Sequence, residues 1–163
     1  MLFGAVLIVI ISLISVGIFY KVKHKIRVKE NISTLDSIRY MSIDGSSHEI
    51  TPSDNFKVIF FFDSECDHCQ AEATVISANS SSFVNADIYF FSKEELQVIN
   101  RFANKFGLTK NPDIKIGRVD YKQVLHKMGV ITYPMCFIYS HDGRLLKKYV
   151  GEVSPEAIIR YLR

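Results

Sequence analysis

Six consecutive residues, Lys57 to Phe62 (KVIFFF), carry β-branched and aromatic side chains with no polar interruption after the lysine. Successive side chains of a strand point to opposite faces of a sheet, so an unbroken apolar run needs cover on both. The run predicts a central strand buried on two sides, and with it a layered α/β domain. Directly after it come Asp63-Ser64-Glu65 and the cysteine pair of Cys66-Asp67-His68-Cys69. A stretch from Gln70 to about Asn79 follows, with alanine, valine and isoleucine at helical spacing. Strand, loop, CxxC and helix follow one another without a gap.

The flanking sequence supplies the other elements. Ser37 to Ile43 and Ser47 to Ile50 bracket Asp44-Gly45, a hairpin signal. Thr51-Pro52-Ser53-Asp54 then breaks the pattern. Beyond the CxxC helix, Asp87 to Phe91 predicts a strand. Ser92-Lys93-Glu94-Glu95 reads as a capping box for a helix that runs through Lys105 and stops at Gly107. Ile114 to Val119 predicts a further strand, and Tyr121 to Met128 a short helix stopped by Gly129. Met135 to Tyr139, the turn His141-Asp142-Gly143, and Arg144 to Val150 form an antiparallel hairpin. Ser154-Pro155-Glu156 opens a last helix to Leu162. The order describes a mixed central sheet flanked by helices.

The first twenty residues, Met1 to Tyr20, contain no charged side chain. As a helix they reach roughly 30 Å, about the hydrocarbon thickness of a bilayer. A cleaved signal peptide would show a basic start, a shorter apolar stretch and a small-residue cleavage site. A buried core helix would show a polar stripe. Residues 1–20 are therefore expected to be a transmembrane anchor, residues 21–35 a basic juxtamembrane linker, and residues 36–163 the soluble domain. Lys21, Lys23, Lys25, Arg27 and Lys29 form a collar suited to anionic headgroups. Without these five the formal charge of +3 becomes −2, with 15 basic against 17 acidic residues from position 30 onwards. That balance offers no footprint for nucleic acid. Taken alone, a collar that follows the span points the domain into the cytoplasm. A CxxC with few other cysteines is at home on either side of a membrane.

The chemistry lies at the cysteines. A thiol at a helix start meets unpaired backbone N–H groups and the positive end of the macrodipole, both of which favour thiolate. The spacing puts the second sulfur within one turn of the first, so Cys69 can resolve a mixed disulfide formed at Cys66. His68 adds positive charge and a hydrogen-bond donor, and Asp67 opposes it. A structural zinc site needs four ligands and usually a second close pair, which the chain lacks. Cys136, inside the run MCFIY, reads as a small buried core residue.

The strand KVIFFF leading into CDHC and a helix, followed later by Thr132-Tyr133-Pro134 before a strand and the Asp142-Gly143 hairpin, resembles the thioredoxin superfamily. Within it the chain is most similar to the TlpA/ResA-like redoxins, bacterial membrane-tethered thiol-disulfide oxidoreductases. It shares with them the hairpin before the central strand, the extra βα unit between CxxC and proline, and the anchor. The resemblance covers residues 36 to 163 and implies a thioredoxin-like fold with an extra N-terminal β-hairpin. It makes Cys66 the attacking and Cys69 the resolving cysteine, and Pro134 a cis-proline facing their disulfide. Tyr133, with Thr132 beside it, would present backbone to an extended substrate segment. Glu72 matches a family glutamate near the active site that influences the cysteines, the plainer reading being a solvated helix carboxylate.

The resemblance further implies protein thiol or disulfide substrates, a redox partner protein, and no cofactor beyond the Cys66–Cys69 disulfide. It implies a monomer in the bacterial inner membrane with its domain outside the cytoplasm. Glu65 stands where the family usually has tryptophan, and Phe60 where thioredoxins proper have a buried acid, which argues against a general cytoplasmic thioredoxin. His68 favours an oxidising site while Asp67 and Glu65 oppose it, which leaves the direction of electron flow open. Two other classes stay in view. One is a peroxiredoxin-like peroxidase, whose threonine-containing motif Asp63-Ser64-Glu65 does not supply. The other is a tethered binding or metallochaperone module.

Overall fold

The computed structural model describes residues 2–163 except Asp36 and Pro52, and all their side chains but those of residues 2–9, 24, 25, 27–29, 125 and 126. Helix α1 (Leu2–Ser33) leads into the hairpin β1 (Ile38–Ser42) and β2 (Ser47–Ile50). Strand β3 (Phe56–Phe61) is followed by α2 (Asp67–Ala78), β4 (Ala86–Ser92), α3 (Leu96–Lys105) and β5 (Ile114–Val119). A single turn, α4 (Tyr121–Gln123), continues as a π-helical segment Val124–Met128, and β6 (Met135–Tyr139), β7 (Leu145–Val150) and α5 (Pro155–Ile159) complete the chain.

Among the described residues, seven strands join one sheet in the order β2-β1-β5-β4-β3-β6-β7. Strands β3, β4 and β5 are parallel, and their neighbours β1 and β6 run against them. This is the expected mixed sheet, with KVIFFF near its middle and the hairpin at one edge.

The run is buried on both faces because its side chains alternate between two apolar clusters. Val58, Phe60 and Phe62 pack with Cys69, Ala73 and Ile76 of α2 and with Phe102 of α3. Ile59 and Phe61 pack on the other face with Val124, Met128 and Tyr139. Aromatic contacts tie the strands laterally: Phe60 stacks on Phe90 with ring centroids 4.6 Å apart, and Phe62 on Phe102 at 4.2 Å. Such contacts add to area burial. Lys57 at the head of the run is also buried. Its ammonium bonds Ser53 Oγ, the Asn55 carbonyl at 3.0 Å and Asp87 Oδ2 at 2.7 Å. A charge can be held there only because each donor is matched.

Residues 21–33, expected as part of a linker, continue α1 as helix. The chain then docks. Ile32 and Leu35 are buried against Val124, Met128 and Tyr139, and the Leu35 N–H bonds the Gly143 carbonyl at 2.6 Å. Part of the anchor expected over residues 1–20 lies outside the described side chains, as do Asp36 and Pro52, the expected domain start and strand break. Among the described residues no helix is long and apolar enough to cross a membrane. Ser92 does not cap α3 but ends β4. The helix begins at Leu96, with Glu95 at its N-cap and no side-chain cap bond.

Candidate active site

The parallel strands β3 and β4 end side by side, and the loop Asp63–Glu65 leaves β3 at that edge. Glu94, just past β4, fixes it. Its carboxylate accepts the Ser64 N–H at 2.9 Å and the Ser64 hydroxyl at 2.7 Å, while Ser92 Oγ donates to it at 3.0 Å. Gln70 of α2 donates to the Ser64 carbonyl at 2.9 Å. A middle residue of the stretch expected as a capping box therefore braces the loop that delivers the cysteines.

Cys66 is the N-cap of α2, with φ −87° and ψ 114°. Its Sγ accepts the Cys69 N–H at 3.4 Å, the bond a capping side chain makes to the third helical residue. The same sulfur lies 3.9 Å from the Tyr133 carbonyl, to which its thiol donates. Cys66 is half-buried, while Cys69 is only 1% exposed. Burial pushes the Cys69 thiol far above its ordinary value, with the contact to Cys66 and the charge of Glu72 adding to the rise. The fully buried Cys136 is raised likewise, by burial and then by Glu72. The three thiols are therefore unequal: one reaches solvent, and two are held protonated beneath it.

Glu72 is not solvated. It is 2% exposed, and its Oε1 accepts the Val153 N–H at 3.0 Å. Burial pushes its carboxyl up to about 7, against the lowering effect of the Val153 bond, and the charge of Glu152 adds to the rise. A carboxyl near neutrality beside a buried thiol suits proton transfer. His68 is exposed, and its Nδ1 meets Glu152 Oε2 at 3.2 Å, an ion pair when the ring is protonated. The imidazole thus engages the β7–α5 loop, and the N–H at the Cys66 sulfur is a backbone one.

The Tyr133–Pro134 peptide is cis. Pro134 is buried at the foot of β6, Tyr133 is half-buried and Thr132 is exposed. Burial pushes the Tyr133 phenol up to about 12, with nearby negative groups contributing. The structure thus gathers Cys66, Cys69, Glu72, His68, Tyr133 and Pro134 at one end of the sheet, with Thr132 at the rim. Glu94, Glu152 and Lys93 belong to the same neighbourhood, and sequence reasoning did not assign them to it. A carboxylate at the tip of the strand beside the CxxC strand was the one available signal. Among the described residues no group of three or more His, Cys, Asp or Glu is placed to hold a metal ion.

The chain matches the family of thioredoxin-like domains over residues 45–163. No curated protein matches its sequence. Among solved structures, a peroxiredoxin-like protein from Aquifex aeolicus superposes with a TM-score of 0.69 at 12% identity, over 80% of this chain and 84% of that one. StoA from Bacillus subtilis gives 0.64 at 17% identity, over 80% and 99%. A secreted Mycobacterium tuberculosis disulfide oxidoreductase homologous to E. coli DsbE gives 0.63 at 14%, over 82% and 96%. At these identities the likeness is one of fold.

Proposed function

This chain belongs to the thioredoxin-like domain family, and on that premise we propose that it is a membrane-tethered thiol-disulfide oxidoreductase acting on protein substrates. The observation that carries the reading is the half-exposed Cys66 sulfur, set between the Cys69 N–H and the Tyr133 carbonyl with Cys69 covered behind it. N–H groups at a helix start favour negative charge on such a sulfur.

In the reducing direction, the Cys66 thiolate attacks one sulfur of a substrate disulfide. A mixed disulfide forms, and the other substrate sulfur leaves as thiolate and takes a proton. Cys69 then loses its proton to ionised Glu72 and attacks Cys66 Sγ. The substrate's second thiolate departs, and the Cys66–Cys69 disulfide remains. Two electrons have passed to the substrate, and a redox partner protein returns them. The same steps reversed oxidise a substrate dithiol. Tyr133 and Thr132 offer backbone to the substrate segment beside Pro134, and His68 with Glu152 borders the sulfur.

The tether is α1. Its described apolar side chains from Ile10 to Tyr20 are exposed rather than packed on the domain, and the basic collar follows them. We place the domain outside the cytoplasm, as in the redoxins the sequence resembles, although the collar taken alone argues for the other side. Retention of the full chain in alkali-washed membranes and a reporter fused to Arg163 test both halves of this placement. A soluble chain, or a reporter active in the cytoplasm, would overturn it.

The exchange reading is tested by trapping. Cys69→Ser should accumulate partners on Cys66 as mixed disulfides visible on non-reducing gels, and Cys66→Ser should accumulate none. Trapping by Cys66→Ser, or by neither variant, would sink the assignment.

A further inference from the structure

Carboxylates gather at the end of the sheet that carries Cys66: Glu65 and Asp67 in or beside the CxxC turn, Glu152 on His68, and Asp63 and Glu94 near the Tyr133 phenol. Lys93 packs over the Tyr133 ring as the cation of this neighbourhood. The Lys93 ammonium lies between two rings, 5.2 Å from the centre of Tyr121 and 5.5 Å from that of Tyr133. Tyr133 thus has Lys93 over its ring and the Cys66 thiol on its carbonyl.

An open cleft of about 520 Å³ extends from Lys93 across β5 and β1, with Arg39, Arg118 and Lys122 in its walls. Asp120 is the only carboxylate among the described lining residues, and its Oδ1 is occupied by the Lys122 N–H at 2.8 Å. Arg118 and Arg39 pair with Glu95 at 3.0 Å and Glu49 at 4.0 Å on the rim. Both pairs are solvent-exposed, and such pairs are weak enough to yield to a competing carboxylate. Neither Lys93 nor Lys122 takes part in an ion pair among the described residues. The concentration of cations is local, because the chain from residue 30 onwards is net acidic. Two tyrosines, Tyr40 and Tyr121, give the same cleft an apolar lining.

We propose that this cleft takes the acidic flank of the substrate cysteine, an extended Asp- or Glu-bearing segment of the protein whose disulfide reacts at Cys66. The inference rests on the exchange reading and names its substrate class. Lys93 would hold the carboxylate nearest the cysteine, and Arg118, Lys122 and Arg39 those further along. The carboxylates near CxxC would disfavour acidic residues directly at the reacting cysteine, so charge would favour a substrate whose acidic residues lie along the cleft. Complementary charge of this kind acts on association rate and on choice of partner.

The test uses two disulfide-linked peptide dimers, identical except that glutamates or lysines flank the cysteine, reduced by the dithiol form of the full chain. The acidic peptide should react at least about fivefold faster, the size expected of one or two exposed charge pairs, and the gap should narrow at high salt. Lys93→Glu should reduce or invert the acidic-to-basic rate ratio. Lys122→Glu, farther from the cysteines, should lower it independently of any disturbance at the redox turn. Equal rates for the two peptides, or a ratio that neither charge reversal moves, overturn the proposal. If the wild-type chain reduces neither peptide, the exchange reading fails instead.

Discussion

Glu72 carries the clearest consequence of a single side chain. Its folded carboxyl is raised to about 7 from an ordinary 4.5, so between those values the folded state holds a proton that the unfolded state has released. Stability is then fullest below the unfolded value and falls as pH rises through the folded one. The loss by pH 8 amounts to about 3 kcal/mol. Glu72→Gln keeps an acceptor for the Val153 N–H but cannot ionise. Its urea midpoint should therefore be nearly flat between pH 5 and 8 and exceed that of the wild type at pH 8, and its Cys69 should resolve mixed disulfides more slowly. A wild-type midpoint that rises over this range would contradict the assignment. Glu94 offers a second case. Glu94→Ala strips the Ser64 N–H of its acceptor, which should cost about 1–3 kcal/mol and slow exchange at Cys66, as denaturation and stopped-flow rates would show. The cysteines and Pro134 were legible in the sequence because their chemistry is local or tied to a short motif. Glu94 and Glu152 were not, since their partners Ser64 and His68 lie 30 and 84 residues away along the chain, and only the closed sheet brings them together.

At the level of elements, the strands were readable and their junctions less so. KVIFFF announced a central strand because burial on both faces leaves a pattern in the residues themselves. Ser92-Lys93-Glu94-Glu95 has the letters of a capping box, yet tertiary pairing extends β4 through Ser92, and Glu95, the acidic half of that pattern, becomes the N-cap itself with its carboxylate on Arg118. The close approach of β1 to β5 was equally invisible. Gly117 lies where a Cβ would come within 2.4 Å of the Met41 carbonyl oxygen, a backbone atom that cannot turn aside. Gly117→Ala should part the N-terminal hairpin from the parallel strands and cost about 1–3 kcal/mol, read as a lower thermal midpoint and faster amide exchange in residues 38–42. Unchanged exchange there would mean that the hairpin tolerates the spacing.

For the whole molecule, the decisive feature is how α1 enters the domain. Ile32 and Leu35 belong to the core, and Thr34 bridges Arg144 in the β6–β7 turn. A chain starting at residue 30 should keep this docking. One starting at residue 37 should lose about 3–5 kcal/mol from two buried aliphatic side chains, measurable as a difference in denaturation midpoint between the two. The boundary at residue 35 drawn from charge alone misses this, because a basic collar says nothing about whether the backbone beneath it is helical. The bridge to Arg144 lies beyond the end of β6, whereas Pro134 precedes its start, so the attachment and the reacting sulfur occupy opposite ends of that strand. Thirteen helical residues from Lys21 to Ser33 rise roughly 20 Å, where an extended linker of the same length would reach farther and hold no fixed distance. On the tether proposed for α1, this helix would set the height at which Cys66 works. Partners would be sorted by the altitude at which they carry their disulfides, and a donor with cysteines flush with the lipid would be out of reach however well it fitted.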